Sequence, residues 1–377
     1  MPRRVTLAST FLVLLMAAGP ANGASSFRQP EQVSPDKLTE ASLAVLNGRP
    51  HIAGVGPHGI WYFTRQGGVW SGERVTYFPG DINSPRHAQP AIAVDPMDGS
   101  VTIAFERRVP EDLTGGCETL GLRWTSNRSG DWPTFSEVVG DDDASSNCMV
   151  DPALVVRNGH MYVAGEVSRV PNPFGNSRIR YLTDVTGDWT FEDVRGSRSP
   201  SLLLDQNGNP QIAAQRNFPN EEDLFEWTIF RDRGTSPTGD FVRSTIVSGI
   251  ELVGSASLAL ATNGKPRVAW SEPDGVHYAV KTGAGWNEQL VAPGFAVTDL
   301  IIDPLGVAHM AATGTCCGAG GRLWYLTGPQ NGGAGDFDAI DVTAATDSDF
   351  DIGAGLNGRV QISFQRGDEG WWVRSTD

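Results

Sequence analysis

Ala256-Ser257-Leu258-Ala259-Leu260 begins the stretch of sequence that decides the fold. It is followed by the turn Asn263-Gly264, then by Val268-Ala269-Trp270, by Val276-His277-Tyr278-Ala279-Val280 and by the segment from Trp286 to Val291. Apolar residues alternate with small or polar ones in each piece, and turn residues separate the pieces. This pattern is typical of short antiparallel strands, so the stretch predicts a four-stranded sheet.

The same unit recurs along the whole chain, and the turn between its first two strands marks each copy. Asn-Gly and Asp-Gly pairs favour two-residue hairpin turns because both central positions need positive φ. The turns are Asn47-Gly48, Asp98-Gly99, Asn158-Gly159, Asn207-Gly208, Asn263-Gly264 and Asn357-Gly358, with Leu305-Gly306 as a variant. The fourth residue after each glycine is apolar and the fifth is small: Ile52-Ala53, Ile103-Ala104, Val163-Ala164, Ile212-Ala213, Val268-Ala269, Met310-Ala311 and Ile362-Ser363. Close packing between neighbouring sheets requires such a constant offset, so the sequence predicts seven propeller blades.

The two ends of the chain complement each other. Residues Phe27 to Ser34 look like the outermost strand of other copies, whereas the last copy stops after its third strand, Trp371 to Arg374. An N-terminal strand that completes the last blade would leave no open sheet edge between the first and last copies. We therefore expect an all-β fold in which residues 25–377 form a single seven-bladed β-propeller, closed by its own N-terminal strand.

The first 24 residues have the features of an export signal. Arg3 and Arg4 precede an apolar run, Val5 to Ala18, that is too short to cross a membrane, and small residues follow it. No later segment is long and apolar enough for membrane insertion. The sequence therefore predicts a signal peptide over residues 1–24 and a secreted protein, either extracellular or periplasmic.

Charge and composition restrict the partners. The formal net charge is −15, and no basic patch or basic tail occurs in the sequence, which argues against nucleic acid as a partner. The 45 glycines and 24 prolines suit a β protein rich in turns. We expect a monomer.

Four cysteines fit an oxidising compartment. Cys117 lies in a long loop of the second copy and Cys148 just before the first strand of the third, so we expect a disulfide between them. Cys316 and Cys317 are adjacent in a glycine-rich loop, where they either form a disulfide between neighbours or bind a metal. No CxxC spacing or nearby histidine pair supports the metal, so the disulfide is preferred.

The connections between the third and fourth strands resemble a known repeat. Four segments resemble degenerate Asp-box turns of the sialidase-like, BNR-repeat propellers. They are Thr64 to Trp70, Ser126 to Trp132, Thr183 to Trp189 and Thr282 to Trp286. The Asp expected two residues after the Ser or Thr is replaced by Gln66, Arg128 or Val185, and the Arg-Ile-Pro motif of true sialidases is absent. Those enzymes also have six blades rather than seven. The resemblance implies a propeller, and a glycan-related activity only by analogy of fold.

The long connections, between the second and third strands, are expected on one face, which we call the long-loop face. They are Arg107 to Glu118, Val167 to Ser177, Arg216 to Asp223 and Thr313 to Gly321. Long loops on a rigid scaffold commonly carry binding sites. The seventh residue after each turn glycine should emerge on this face: Val55, Glu106, Glu166, Gln215, Ser271, Thr313 and Gln365. The eighth position adds Arg107, Arg216, Glu272 and Arg366.

These side chains predict a polar ring around the propeller axis, and three roles remain open for it. A binding site for an acidic sugar or another surface ligand would use Arg107, Gln215, Arg216, Glu272, Gln365 and Arg366. A glycan-cleaving site would use Glu106 or Glu166, with His87 on the same face for proton transfer. The third role is structural, because buried polar groups must satisfy one another or bind ordered water.

No cofactor is required by the sequence. No HxH or HExxH pattern predicts a histidine-bound metal. Asp347, Asp349 and Asp351 alternate along one side of an extended segment and are the candidates for calcium, which takes oxygen ligands. Solvated loop charge is the more common reason for such a run.

Taken together, these features favour a non-catalytic module that recognises a glycan or another cell-surface ligand on the long-loop face. The alternative is a glycan-cleaving enzyme of sialidase-like architecture, either a glycoside hydrolase or a polysaccharide lyase. A further alternative is a scaffold for protein partners.

Overall fold

Every described strand belongs to a four-stranded antiparallel sheet, and seven such sheets follow one another along the chain. The computed structural model describes residues 26–78, 86–108, 119–133, 137–139, 149–167, 178–194, 198–219, 225–283, 285–314, 321–329, 335–343, 350–355 and 357–376. Within these ranges no helix is long and apolar enough to cross a membrane.

Each sheet is one blade, and its strands are neighbours in chain order except in the last. The N-terminal strand is β1 (Glu31–Lys37). Blade 1 contains β2 (Thr39–Leu46), β3 (Arg49–Gly56), β4 (Gly59–Gln66) and β5 (Val69–Arg74). Blade 2 contains β6 (Arg86–Val94), β7 (Val101–Arg108), β8 (Thr119–Ser126) and β9 (Glu137–Val138). Blade 3 contains β10 (Met149–Arg157), β11 (His160–Val167), β12 (Arg178–Thr183) and β13 (Thr190–Val194).

The remaining four blades repeat this order. Blade 4 contains β14 (Arg198–Leu204), β15 (Pro210–Pro219), β16 (Phe225–Ser236) and β17 (Gly239–Ile250). Blade 5 contains β18 (Ser257–Leu260), β19 (Pro266–Glu272), β20 (Gly275–Lys281) and β21 (Trp286–Pro293). Blade 6 contains β22 (Phe295–Ile302), β23 (Ala308–Gly314), β24 (Leu323–Thr327) and β25 (Asp338–Thr343). Blade 7 contains β26 (Phe350–Ala354), β27 (Val360–Arg366), β28 (Glu369–Arg374) and β1.

Strand β1 closes the ring by pairing with β28. Glu31 lies opposite Trp372 in this antiparallel pair, and the Arg28 N–H donates to the Arg374 carbonyl at 3.0 Å. Val33 is buried beneath the pair and packs in one apolar cluster with Trp372 and with residues of blade 1. The expected seven-bladed, N-terminally closed propeller is therefore confirmed.

The repeated apolar-small pair fills the space between blades. All seven apolar members and all seven small members are buried, at 0 to 1% exposure. Successive residues of a strand point to opposite sides of the sheet, so the small residue of one blade meets the apolar residue of the next. Ala53 packs in one cluster with Ile103, and Ala269 in one cluster with Met310. A constant offset along the chain thus becomes a constant contact between blades.

The turns after the first strands are of two kinds, and here the sequence expectation was partly wrong. Asn47-Gly48 and Asn158-Gly159 have positive φ at both positions, as a primed hairpin turn requires. In most other copies only the glycine has positive φ, and its N–H donates to the carbonyl three residues earlier, as Gly264 does to Ala261. These wider turns still need a glycine at their end, which is why the glycine was a reliable marker.

The tryptophans that start or precede the fourth strands pack between blades, as expected. Trp132 contacts Tyr62 of blade 1 with ring centroids 5.5 Å apart, and Trp70 contacts Trp372 of blade 7 at 5.4 Å. Trp189 and Trp286 are half-buried against the clusters of their own seams. These rings therefore stabilise the seams.

Candidate functional site

The first strands of the seven blades surround an axial channel with a cavity of about 760 Å³. Its lining comes from the first-strand segment of every blade, from Glu40 in blade 1 to Asp351 in blade 7. Thr39, beside the lining, pairs with Val55 at the end of β3. Because second strands end at the long-loop face, the channel opens there.

Four half-buried polar residues form a mouth ring at this end of the channel. The mouth ring consists of Glu40, Gln89, Asp151 and Ser199, one each from blades 1 to 4. Each residue bonds to the next: the Gln89 N–H donates to Glu40 Oε2 at 2.6 Å, and the Asp151 N–H donates to Gln89 Oε1 at 3.4 Å. Ser199 Oγ donates to Asp151 Oδ2 at 3.3 Å. The ring is therefore a chain of hydrogen bonds that crosses three seams.

The backbone of the mouth ring is unusual. All four residues have positive φ, between 44° and 52°, and each lies where the register of the first strand shifts. Non-glycine residues adopt such angles rarely, at a cost of roughly 1 kcal/mol or more each, and they concentrate at functional sites. In each of blades 1 to 4, a bulge in the first strand re-aims one polar side chain towards the channel mouth.

A second set of polar side chains lies deeper and forms an inner ring. Its members are Ser42, Ser201, Ser257, Asp299 and Asp351. They bind the next blade through its backbone: the Leu300 N–H donates to Ser257 Oγ at 3.0 Å, and the Leu43 N–H donates to Asp351 Oδ2 at 2.7 Å. Ser257 Oγ also donates to Asp299 Oδ1 at 2.6 Å. The inner ring joins blade 4 to 5, 5 to 6, 6 to 7 and 7 to 1. Together with the mouth ring, it links all seven blades of the propeller.

Asp351 keeps its proton more tightly than an ordinary carboxylic acid. Burial raises its pKa well above the usual range, and the charge of Asp299 and a hydrogen bond between the two carboxyls raise the pKa further. Hydrogen bonds from the Leu43 N–H and from Ser42 oppose this shift without cancelling it. The surroundings therefore favour the neutral form of Asp351 at the seam between blades 6 and 7.

The described channel lining is acidic. Glu40, Asp151, Asp299 and Asp351 supply four carboxyl groups, and serines and Gln89 supply most of the remaining polar atoms. In the part of the chain that the structure describes, this lining contains no lysine or arginine. The described lining thus offers acceptors and hydroxyl groups to a ligand.

The residues predicted for the axial ring lie one strand further out. Glu106 is fully buried in β7, and its Oε1 accepts a hydrogen bond of 2.8 Å from the Asp151 N–H. Gln365 in β27 accepts from the Glu40 N–H at 3.4 Å, and Gln215 is buried in β15 opposite Arg198. These second-strand residues support the mouth ring from behind.

The predicted arginines do not converge with these residues on the axis. Arg366 donates to Thr343 Oγ1 at 2.6 Å and lies over the ring of Trp371, 4.8 Å from its centroid. Arg107 and Arg216 are half-buried at the long-loop ends of their second strands, and both have interaction partners. Their roles in ligand binding remain predictions.

Other predicted residues are scattered. Glu166 is half-buried in β11 and lies opposite Val150. The backbone of His87 pairs with Arg107 in blade 2. Glu272 belongs to a separate group in blade 5. Six predicted residues lie outside the described ranges, namely Cys117, Cys148, Cys316, Cys317, Asp347 and Asp349.

Two of the turns that resemble Asp-boxes share one hydrogen-bond pattern. Ser126 Oγ donates to the Val101 carbonyl at 3.0 Å, and Thr183 Oγ1 donates to the Met161 carbonyl at 2.8 Å. The residue after each hydroxyl, Asn127 or Asp184, accepts from the N–H of that same second-strand residue. The hydroxyl therefore fastens the turn to the second strand, on the face opposite the mouth ring.

No protein-family model matches the sequence, and no curated protein matches it. Solved structures match in fold. The polysaccharide lyase Uly1 superposes with a TM-score of 0.62 and 10% identity over 96% of this chain and 94% of the lyase. The Hadza microbial sialidase Hz136 gives a TM-score of 0.53 and 10% identity over 88% of this chain and 74% of the sialidase.

An α-L-arabinanase from Penicillium chrysogenum, solved in complex with arabinobiose, gives a TM-score of 0.52 and 11% identity over 96% of this chain and 99% of that enzyme. At such low identities the likeness concerns the fold alone. The chain therefore has the fold of the sialidase-like propellers, while its membership among the BNR-repeat proteins stays a prediction.

Proposed function

We propose that this protein binds a hydroxyl-rich glycan at the mouth ring of the axial channel. The observation that carries the proposal is the channel lining, in which carboxylates, serines and an amide converge around a cavity of about 760 Å³. Sugar hydroxyls donate hydrogen bonds to carboxylates, and charge-assisted bonds of this kind are about twice as strong as neutral ones. The fold of solved lyase, sialidase and arabinanase structures is consistent with a glycan ligand.

The charge of the channel narrows the class of glycan. An acidic sugar in this channel would face Glu40, Asp151 and the Asp299–Asp351 pair, and like charges at short range disfavour binding. A neutral saccharide avoids this repulsion. The proposed ligand is therefore a neutral oligosaccharide in the channel mouth, with Arg107, Arg216 and Arg366 left for contacts further out on the long-loop face.

A glycan array read for both retention and cleavage tests the proposal. Glu40→Gln and Asp151→Asn keep an acceptor for the ring hydrogen bonds but remove the negative charge, so each should weaken retention about tenfold. Asp131→Asn is the control, because Asp131 is exposed on the opposite face. Retention that is equal in all four proteins would place the glycan elsewhere and would contradict the proposal.

Cleavage is the second candidate function, and the placement of Asp351 beside Asp299 in the channel lining favours it. Burial and the neighbouring Asp299 raise the pKa of Asp351, the direction that a general acid requires. Under this alternative the array shows product formation, which Asp351→Asn abolishes while retention persists. Glu106→Gln and Glu166→Gln test the two carboxylates that the sequence suggested.

Secretion is part of the proposal. The apolar segment after Arg3 and Arg4 has the length of a signal peptide, and an exported protein would meet extracellular or periplasmic glycans. N-terminal sequencing of the protein from the culture medium or periplasm should find a start near residue 25. A start at Met1 in the cytosolic fraction would contradict export.

A further inference from the structure

Blade 5 carries a second group of chemically reactive side chains, away from the channel lining. The hairpin between β19 and β20 brings Glu272, Asp274 and His277 together, with one ligand atom from each within 4.8 Å of the others. Glu288 on the adjacent strand β21 lies on the same side, its Oε1 3.0 Å from His277 Nδ1. We call these four residues the blade-5 cluster.

The two nitrogens of His277 face different carboxylates. Nε2 lies 2.9 Å from Asp274 Oδ1, whereas Nδ1 faces Glu288 and also lies 3.8 Å from Glu272 Oε1. The side chain is 12% exposed, and the Trp270 ring stacks on it with centroids 5.6 Å apart and planes 22° from parallel. The imidazole is therefore held in one orientation, with its Nδ1 edge between two glutamates.

Glu272 is held in place as well. The Trp270 indole Nε1–H donates to Glu272 Oε1 at 2.8 Å, so one tryptophan fixes both the imidazole plane and the carboxylate beside it. In metal sites, hydrogen bonds from surrounding residues commonly hold the ligand side chains in position before the metal binds.

The charges of the cluster do not balance. Three carboxylates surround one imidazole, so the group carries excess negative charge even when His277 is protonated, in a chain of formal net charge −15. A proton on Nδ1 satisfies one glutamate at a time. A divalent cation on Nδ1 would offset two carboxylates and bind both of them directly.

We propose that the blade-5 cluster binds a divalent transition-metal cation of the zinc class. His277 Nδ1, Glu272 and Glu288 are the ligands, and Asp274 accepts the Nε2–H that keeps Nδ1 free of a proton. A ligating histidine almost always donates its other N–H to such a partner. Three protein ligands leave a position for water. The imidazole selects against calcium and magnesium, which take oxygen ligands.

The spacing of these residues along the chain does not predict a metal site. Glu272, Asp274 and His277 match no metal-binding motif, and Glu288 joins them only because β20 and β21 pair along their length. The cluster is independent of the mouth ring, so the proposed glycan function can fail without affecting it.

Calorimetric titration of the chelator-treated, full-length protein with Zn²⁺ alone tests the proposal. We expect one site that His277→Gln and Glu288→Gln each weaken at least tenfold, and that Asp274→Asn weakens about tenfold through its effect on the imidazole. His160→Gln is the matched control, because His160 lies 3.5 Å from a single carboxylate, Asp184. Circular dichroism checks that each variant is folded.

The same samples separate the possible outcomes. Loss of the site in His277→Gln and its retention in His160→Gln support the proposal, as does anomalous scattering from zinc within bonding distance of His277 Nδ1. Equal zinc binding by the wild type and His277→Gln, zinc located elsewhere, or no binding by the wild type would each overturn it.

Discussion

The buried histidine of blade 1 should make the fold sensitive to acid. His51 is 5% exposed, and its Nδ1 lies at a hydrogen-bonding distance of 2.7 Å from the Tyr62 hydroxyl. Burial, assisted by the charge of Arg49, lowers the pKa of His51 from 6.5 to about 4. The folded protein therefore resists protonation that the unfolded chain accepts.

The sign and size of the effect follow from this pKa. Above pH 6.5 the histidine is neutral in both states and costs nothing; between pH 6.5 and about 4 only the unfolded chain takes up the proton, so the free energy of unfolding decreases as pH falls. Each pKa unit corresponds to roughly 1.4 kcal/mol, so the full loss approaches about 3 kcal/mol near pH 4.

Urea denaturation from pH 4 to pH 8 measures this loss, with His51→Gln as the test variant. A glutamine side chain offers both a donor and an acceptor to the Tyr62 hydroxyl and does not titrate, so the variant should gain stability relative to the wild type as pH falls, by up to about 3 kcal/mol. His58→Gln, at an exposed histidine in the same blade, is the control. Parallel curves of unfolding free energy against pH for the wild type and His51→Gln would contradict a lowered pKa of His51.

Three further predictions concern the circle and its turns. Asp351→Asn should remove one contribution to the loss of stability with rising pH. The raised pKa of Asp351 stabilises the fold at low pH, and this stabilisation decreases as pH rises above about 3.9, the ordinary pKa of an unfolded aspartate. Thermal unfolding from pH 4 to 8 measures the change, and an unchanged slope in the variant would contradict it. Val33→Ala should cost about 2 kcal/mol where β1 closes the ring, whereas Val69→Ala, at a valine that is 70% exposed, should stay within about 0.5 kcal/mol in the same urea assay. Equal losses would mean that closure does not depend on this contact. Gly264→Ala should cost about 1 kcal/mol through its φ of +73° alone, since no atom lies within 4 Å of the added Cβ, and Gly283→Ala, equally uncrowded and without positive φ, should be neutral by differential scanning calorimetry; a neutral Gly264→Ala would argue against the strained turn.

The fold was readable from the sequence because each blade repeats one physical requirement. The turn glycine indicates the hairpin. The apolar residue four positions later and the small residue next to it indicate the packing between blades, and Ile52 and Ala53 are indeed fully buried. The incomplete last blade and the spare N-terminal strand likewise predicted the pairing of β1 with β28.

The site was less readable because local geometry overrides the alternation of the strand. Sequence counting identified Glu106 and Gln365, which support the mouth ring from the second strand, and missed Glu40 and Asp151, which line the channel. A bulge with positive φ turns the latter pair inward, and the type of a single residue does not predict such a backbone. The signal that was available is a polar residue directly before Pro90, Pro152 and Pro200 at three consecutive blade starts.

The blade-5 cluster shows a second limit. Glu288 lies eleven residues after His277 in the chain but one strand away in the sheet. Only the register of β20 against β21 reveals that the two side chains share one side of the blade.

The position of a bound oligosaccharide shows whether the mouth ring is the binding site. A crystal structure of the protein with the neutral glycan that the array identifies should show sugar density in the channel mouth, with hydroxyl groups within hydrogen-bonding distance of Glu40 and Asp151. Density on the outer edge of the blades or on the opposite face, with the mouth ring unchanged and in contact only with solvent, would contradict glycan binding at the mouth ring.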